Sequence, residues 1–250
     1  MIATLPPSFL APGLIAHRGL HGPGVPENSL AAIEAAVAAG YGVEIDVQPS
    51  ADGVAMVFHD GFLRRLLNVG GPVESLGAAE LGRLPILDTA QTVPTLAEAL
   101  ALIAGRVPLL IEIKDRDGGM GSRVGALEEA VLSALDGYGG DVAVMSFNPH
   151  SVAYMARRAP GLPRGLVTAG FAPADWPDLP ETTRARLRAI PDLDATGAAF
   201  VSHDARDLGS PRIAEIAARL PVLCWTIRSA ADEARARHVA AAVTFEGYRP

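Results

Sequence analysis

Four short apolar runs in the first half of the chain end in residues able to handle protons, cations or phosphate. His17-Arg18-Gly19 follows Leu14-Ile15-Ala16, Glu44 and Asp46 lie within Val43 to Val47, His59-Asp60 follows Met56-Val57-Phe58, and Glu112 with Lys114 follows Leu109-Leu110-Ile111. Side chains alternate faces along a strand, so Glu44 and Asp46 share one face, and so do Glu112 and Lys114. Carboxylates rarely enter apolar strands unpartnered, because burying a lone charge is costly. A divalent cation would neutralise three converging carboxylates, and two nearby histidines could then move protons. The chemistry outlined is hydrolysis.

Such residues need a scaffold that brings strand ends together. Apolar runs of strand length at 13–16, 42–47, 54–58, 108–113, 141–146, 164–168, 198–202, 221–226 and 241–245 alternate with Ala-rich stretches of helical period at 29–39, 95–104, 123–136, 149–158, 183–190, 210–219 and 229–237. Ser29 heads the first helix, Thr95 with Glu98 forms a capping box, and Pro211 sits just inside the sixth helix. Alternating strand and helix implies a parallel sheet with right-handed crossovers. A count near eight, with the polar residues at strand C-terminal ends, predicts an α/β fold of the (β/α)8 TIM-barrel type. An open doubly wound sheet, which also binds at strand C-termini, is the alternative.

Strands 42–47 and 54–58 are too close for a crossover helix, so the turn at Asp52-Gly53 should return one antiparallel at the rim. Between His59 and Pro94 the pattern weakens, with Gly70-Gly71-Pro72 and one short helical stretch at 75–84. The reading is a single domain over 1–250 with a short insertion, about 60–94, after the second or third strand. The proline-rich segment 169–180, with Trp176, is a second candidate loop at the site.

With 250 residues, 49% of them hydrophobic, the chain can bury a substantial core. Its net charge is -7 and no run of Lys or Arg forms a basic stripe, which excludes nucleic acid as the expected partner. An anionic substrate would have to be attracted by a local cation or metal. Cys224 is the one cysteine, so no internal disulfide is possible. No apolar run approaches the roughly 20 residues that span a bilayer. The start lacks a basic segment and is broken by Pro6 and Pro7, which argues against a signal peptide and makes a cytoplasmic location the expectation.

The ordered strings His17-Arg18-Gly19, Pro26-Glu27-Asn28-Ser29, Glu44-Ile45-Asp46-Val47-Gln48, Asp52-Gly53, Val57-Phe58-His59-Asp60, Ile111-Glu112-Ile113-Lys114, Ser146-Phe147 and Trp225-Thr226-Ile227 resemble the motif series of the glycerophosphodiester phosphodiesterases. Each string alone is weak; their order and spacing together are specific. The resemblance runs from about Ile15 to Pro250. It implies a (β/α)8 barrel in which Glu44, Asp46 and Glu112 hold one divalent cation, Mg²⁺ or Ca²⁺, and His17 and His59 act as general acid and base. Its substrate would be a small glycerophosphodiester, cleaved to sn-glycerol 3-phosphate and an alcohol. Arg18 would fork onto a phosphate oxygen. Glu27 would order the site through the metal shell or Arg18, Lys114 would meet phosphate or carboxylate, and Trp225 would line the pocket and cover a glycerol face.

Two departures from the pattern bear on substrate. Glu246 stands near the end where many relatives carry an aspartate directly after a threonine; either it takes that role or the role is lost. After Arg65 come Leu66 and Leu67, where a threonine pair is common. His21, His150 and His238 have no supporting neighbours in sequence and read as surface or loop residues, while His203-Asp204 reaches the right rim with no motif behind it. A phospholipase-type barrel acting on a lipid diester is one rival, but no basic or amphipathic membrane-facing segment supports it. A catalytically silent glycerophosphate-binding barrel is the other; silent relatives lose a ligand or a histidine, and here all five are present.

Overall fold

The computed structural model describes residues 3–116 and 118–250. Each expected strand is found. They are β1 (Leu14–Ala16), β2 (Gly42–Pro49), β3 (Ala55–Val57), β4 (Leu109–Ile113), β5 (Val142–Ser146), β6 (Arg164–Thr168), β7 (Phe200–Asp204), β8 (Val222–Ile227) and β9 (Ala242–Phe245). β1 pairs in parallel with both β9 and β2, and the remaining parallel pairs run β2-β4-β5-β6-β7-β8-β9, so eight parallel strands close a barrel. β3 stays outside the ring, paired antiparallel to the end of β2 with Val57 opposite Val47, as the turn at Asp52-Gly53 requires.

The connecting helices are α1 (Leu30–Ala38), α4 (Leu96–Ile103), α5 (Ala126–Leu135), α6 (Pro149–Arg158), α7 (Glu181–Ala189), α8 (Pro211–Ala217) and α9 (Ala230–Ala236), with the short α2 (Arg64–Leu67) and α3 (Ala78–Leu81) between α1 and α4. The start signals act as read. Ser29 Oγ accepts from the Ala32 N–H at 3.2 Å, and Thr95 and Glu98 cap each other reciprocally.

Alternation along each strand sorts the core into two layers. Val43, Ile45, Val47, Leu109, Ile111 and Val201 face outward into the layer shared with the helices. Ile15, Leu110, Met145, Val167, Phe200 and Leu223 fill the interior, joined by Leu5 and Phe9 from the N-terminal segment. Ser8 bonds Asp141, directly before β5, which puts that segment at the strand N-terminal end, opposite the site. Inside, Phe200 lies over Gly165 on the neighbouring strand, so closely that a Cβ there would meet the ring at 2.3 Å. Cys224, on the outward face of β8, is fully buried. Burial pushes its thiol pKa up to about 12.

The segment after β3 has its own small core of Phe58, Leu63, Leu66, Leu81, Ile86 and Val93. The helical stretch expected at 75–84 is shorter than read, with a 3₁₀ turn at Val73–Ser75 and α3 after it. Loop 169–180 packs Phe171 and Leu179 against Met120 and Leu187. Among the described residues no helix is long and apolar enough to cross a membrane.

Candidate active site

Barrel geometry puts Glu44 and Asp46 on the inward face of β2, and the β2–β4 register sets Asp46 directly opposite Glu112. Oxygen atoms of the three carboxylates lie within 4.8 Å of one another, and Glu44 and Asp46 are each 1% exposed. Three acids this close in a buried site need positive charge. Lys114 supplies part of it, its Nζ 2.6 Å from both Asp46 Oδ1 and Glu112 Oε1, and Arg18 Nε stands 3.2 Å from Asp46 Oδ2. Burial pushes the Asp46 pKa up, but Lys114, His59 and Arg18 outweigh it and hold the carboxyl well below its usual range.

Glu44 is left in the opposite condition. Burial, then Asp46 and Glu112, raise its pKa well above the ordinary value. Its Oε2 accepts from the Arg18 backbone N–H at 2.9 Å, while Oε1, fully buried, has no hydrogen-bond partner among the described residues. An orphaned carboxylate oxygen beside two further acids is a donor set that fits a hard divalent cation. Zinc-type softness is absent from this trio.

His17 leaves β1 on the same inward face. Its Nδ1 is 2.5 Å from Glu246 Oε2 and its Nε2 is 4.0 Å from Glu44 Oε2. Glu246, whose part the sequence left open, is thus brought against His17. It also refutes the isolation expected of His21, whose Nε2 is 3.6 Å from the same Glu246 oxygen, with Arg228 at 2.7 Å on the other. His17, His21 and Glu246 do not form a metal site as they stand. Two donors on one ion with bonds of about 2.0–2.1 Å would be roughly 3.3 Å apart, whereas 2.5 Å is hydrogen-bond spacing. Burial lowers the His17 pKa, against the pull of the Glu246 bond.

The turn carrying Arg18 is tight. Arg18 has φ of 54° and Gly19 of 77°, and a Cβ at Gly19 would meet the Ala32 backbone at 2.6 Å. A non-glycine residue in this region carries strain of about 1–3 kcal/mol, and here the strained backbone aims its N–H at Glu44. Asn28, at φ of 57°, ties the same loop to β2. Its amide donates to Asp46 Oδ2 at 2.9 Å and its carbonyl accepts from the Asp46 N–H at 3.2 Å.

On the other flank, His59 Nδ1 lies 2.7 Å from Asp60 Oδ1. Burial pushes the Asp60 pKa up, but bonds from His59 and Arg65 win and hold it well below the usual range. Glu27 accepts from Arg18 at 2.8 Å, as expected, and also from Arg65.

His17, Arg18, Glu44, His59, Glu112 and Lys114 all line one cavity of about 170 Å³, which Trp225 and Phe147 border. Trp225 donates through Nε1 to the Ser202 carbonyl at 3.1 Å and meets Phe147 edge-on. Beyond His59 and Glu112 a groove of about 980 Å³ runs between the insertion and loop 169–180, with Phe62 and Trp176 among its walls. His203 faces away. It sits on the outer side of β7, bonded to Thr168 at 2.7 Å and near Asp207 at 3.3 Å.

Comparison with known proteins accords with this geometry. The family model described as "Glycerophosphoryl diester phosphodiesterase family" matches residues 17–244. A glycerophosphodiester phosphodiesterase of Caldanaerobacter subterraneus subsp. tengcongensis is 32% identical over 163 residues, 62% of this chain and 65% of that protein. One of Bacillus altitudinis is 32% identical over 62% of this chain and 66% of its own length. The matches thus span slightly less than two thirds of these relatives. A phosphodiesterase of Oleispira antarctica, solved in complex with the product sn-glycerol-3-phosphate, superposes with a TM-score of 0.78 at 26% identity, covering 96% of this chain and 94% of that one. The glycerophosphodiester phosphodiesterase of Thermotoga maritima, at 20% identity, 93% coverage of each chain and a TM-score of 0.71, shares the fold. With the family match running from the first site histidine to the last strand, the chain belongs to the glycerophosphoryl diester phosphodiesterase family.

Proposed function

We propose that this protein hydrolyses glycerophosphodiesters to sn-glycerol 3-phosphate and an alcohol, as one barrel domain with 60–94 inserted. The observation that carries the reading is one 170 Å³ cavity bounded by two carboxylate-held histidines, Arg18 and two of the three clustered acids. Glu44, Asp46 and Glu112 would hold one divalent cation, Mg²⁺ or Ca²⁺; when bound it offsets the charge that grows on a phosphoryl oxygen. Arg18 presents its guanidinium to the phosphate, anchored from behind by Glu27. Carboxylates on the Nδ1 atoms of His17 and His59 fix both rings and leave each Nε2 for the substrate side. One ring takes the proton of the nucleophile and the other gives a proton to the departing alkoxide. Trp225 offers an apolar face to the glycerol carbons, and Lys114 a cation beside the acids.

The test is release of glycerol 3-phosphate from glycerophosphocholine before and after EDTA dialysis, with Mg²⁺ or Ca²⁺ returned. Activity lost to EDTA and restored by either ion is expected, and full activity in EDTA would overturn the metal assignment. Glycerol-end contacts should align the phosphate, so kcat/KM for glycerophosphocholine should exceed that for bis(p-nitrophenyl) phosphate despite the better leaving group of the latter.

A further inference from the structure

Arg65 touches the support of both halves of the site. It projects from α2 in the insertion, between Arg64 and the buried Leu66 and Leu67 that root this helix in the insertion core. Its guanidinium is bidentate twice. Nε and Nη2 donate to Asp60 at 2.6 and 2.9 Å, while Nη1 and Nη2 donate to Glu27 at 2.9 and 2.7 Å. Asp60 in turn holds His59 Nδ1 at 2.7 Å, and Glu27 holds Arg18 Nη1 at 2.8 Å. Arg18 Nε then stands 3.2 Å from Asp46. An unbroken chain of charged contacts thus runs from a histidine on one wall, through Arg65, to the phosphate-facing arginine on the other.

We propose that Arg65 is a positioning residue, a single planar fork that sets His59 through Asp60 and Arg18 through Glu27, so that the insertion completes the site. This rests on the reading of His59 and Arg18 as the groups that meet the phosphodiester. Only a guanidinium has the geometry. A lysine would keep the charge but could not span two carboxylates edge to edge with paired bonds. Because Arg65 is 47% exposed, its ion pairs add little to global stability, and a functional loss can be told from a folding loss.

The experiment compares wild type with Arg65→Met and Arg65→Lys. With His59 and Arg18 both released, kcat on glycerophosphocholine should fall about 10- to 100-fold in Arg65→Met, the scale of small misplacements of reacting groups. The melting midpoint should move by no more than about 3 °C. Arg65→Lys should recover only a small part of the lost kcat. A cycle with Asp60→Asn separates positioning from bulk structure: once Asp60 cannot anchor His59, adding Arg65→Met should cost markedly less than it does alone. Fully multiplying losses, or a folded Arg65→Met at wild-type kcat, would overturn the proposal. If Arg65→Met does not fold, Arg65→Lys decides, with lowered kcat at an unchanged midpoint supporting the role and wild-type kcat refuting it. Should wild type release no glycerol 3-phosphate, the functional reading fails by itself. The ¹⁵N shifts of the His59 ring then still report on Arg65, a change in Arg65→Met supporting the link and identical spectra breaking it.

Discussion

Glu44 carries an unmet electrostatic demand, with one oxygen unpartnered among the described residues and a carboxyl pushed toward its neutral form by burial and two neighbouring acids. Replacing it by glutamine removes that repulsion in metal-free protein. Glu44→Gln should therefore melt at the same or a higher temperature than wild type in EDTA, yet show no divalent-cation heat in titration calorimetry; retained binding would remove it from the ligand set. Glu246 gives a prediction of opposite sign. The hydrogen bond from His17, with His21 and Arg228 close by, holds its pKa far below the ordinary 4.5, so its contribution to stability is complete above that value and is lost as pH falls below it. Urea unfolding at pH 7 and pH 3 should show a smaller drop in Glu246→Gln than in wild type, and equal drops would contradict the assignment. Residue types at strand ends were enough to read His17, Glu44, Asp46, His59 and Glu112 from sequence. Glu246 and His21 were not legible as partners, because 229 positions separate His17 from Glu246 and only closure of the ring joins them. Asn28 was visible only as one letter of a motif, although its amide braces Asp46 from two sides.

Element positions were readable where period and caps agreed. Ser29 and the Thr95–Glu98 pair marked helix starts that the structure keeps, and the short gap between β2 and β3 forced an antiparallel return. Periodicity fails below about two turns, which is why α2 has no signal in the sequence and α3 is shorter than the helical pattern at 75–84. Cross-strand packing was equally hidden, since nothing in the string links Gly165 to Phe200. Gly165→Ala would drive a methyl into that ring, and overpacking in a filled interior costs about 1–3 kcal/mol. Denaturant unfolding should show this loss with an unchanged slope, and Phe200→Leu in the same chain should recover part of it. Neutral behaviour of Gly165→Ala would mean that the barrel interior yields more readily than its packing implies.

The whole molecule is a closed ring whose first and last strands, β1 and β9, share three pairs in register, while β1 and β2 share two, Ile15 with Gly42 and Ala16 with Val43. β2 and β4, by contrast, share five pairs in register, and the metal-type acids sit on that longer seam. Closure was foreseeable from strand count and from the placement of polar residues at strand ends; the filling of the barrel floor by Leu5 and Phe9 was not, because that segment lies outside the alternating pattern. Cys224, sealed on the outer face of β8, gives the ring a built-in clock. Only a thiolate reacts with disulfide or alkylating reagents, and here the sulfur is fully covered and its pKa is pushed to about 12. Modification must then wait for β8 to part from its helical cover, so its pace at low reagent, divided by the pace in urea, counts the fraction of molecules open at any instant. That ratio should fall several-fold when a bound ligand locks the strand C-termini, turning one silent sulfur into a gauge of how far occupancy at the mouth tightens the far side of the wall.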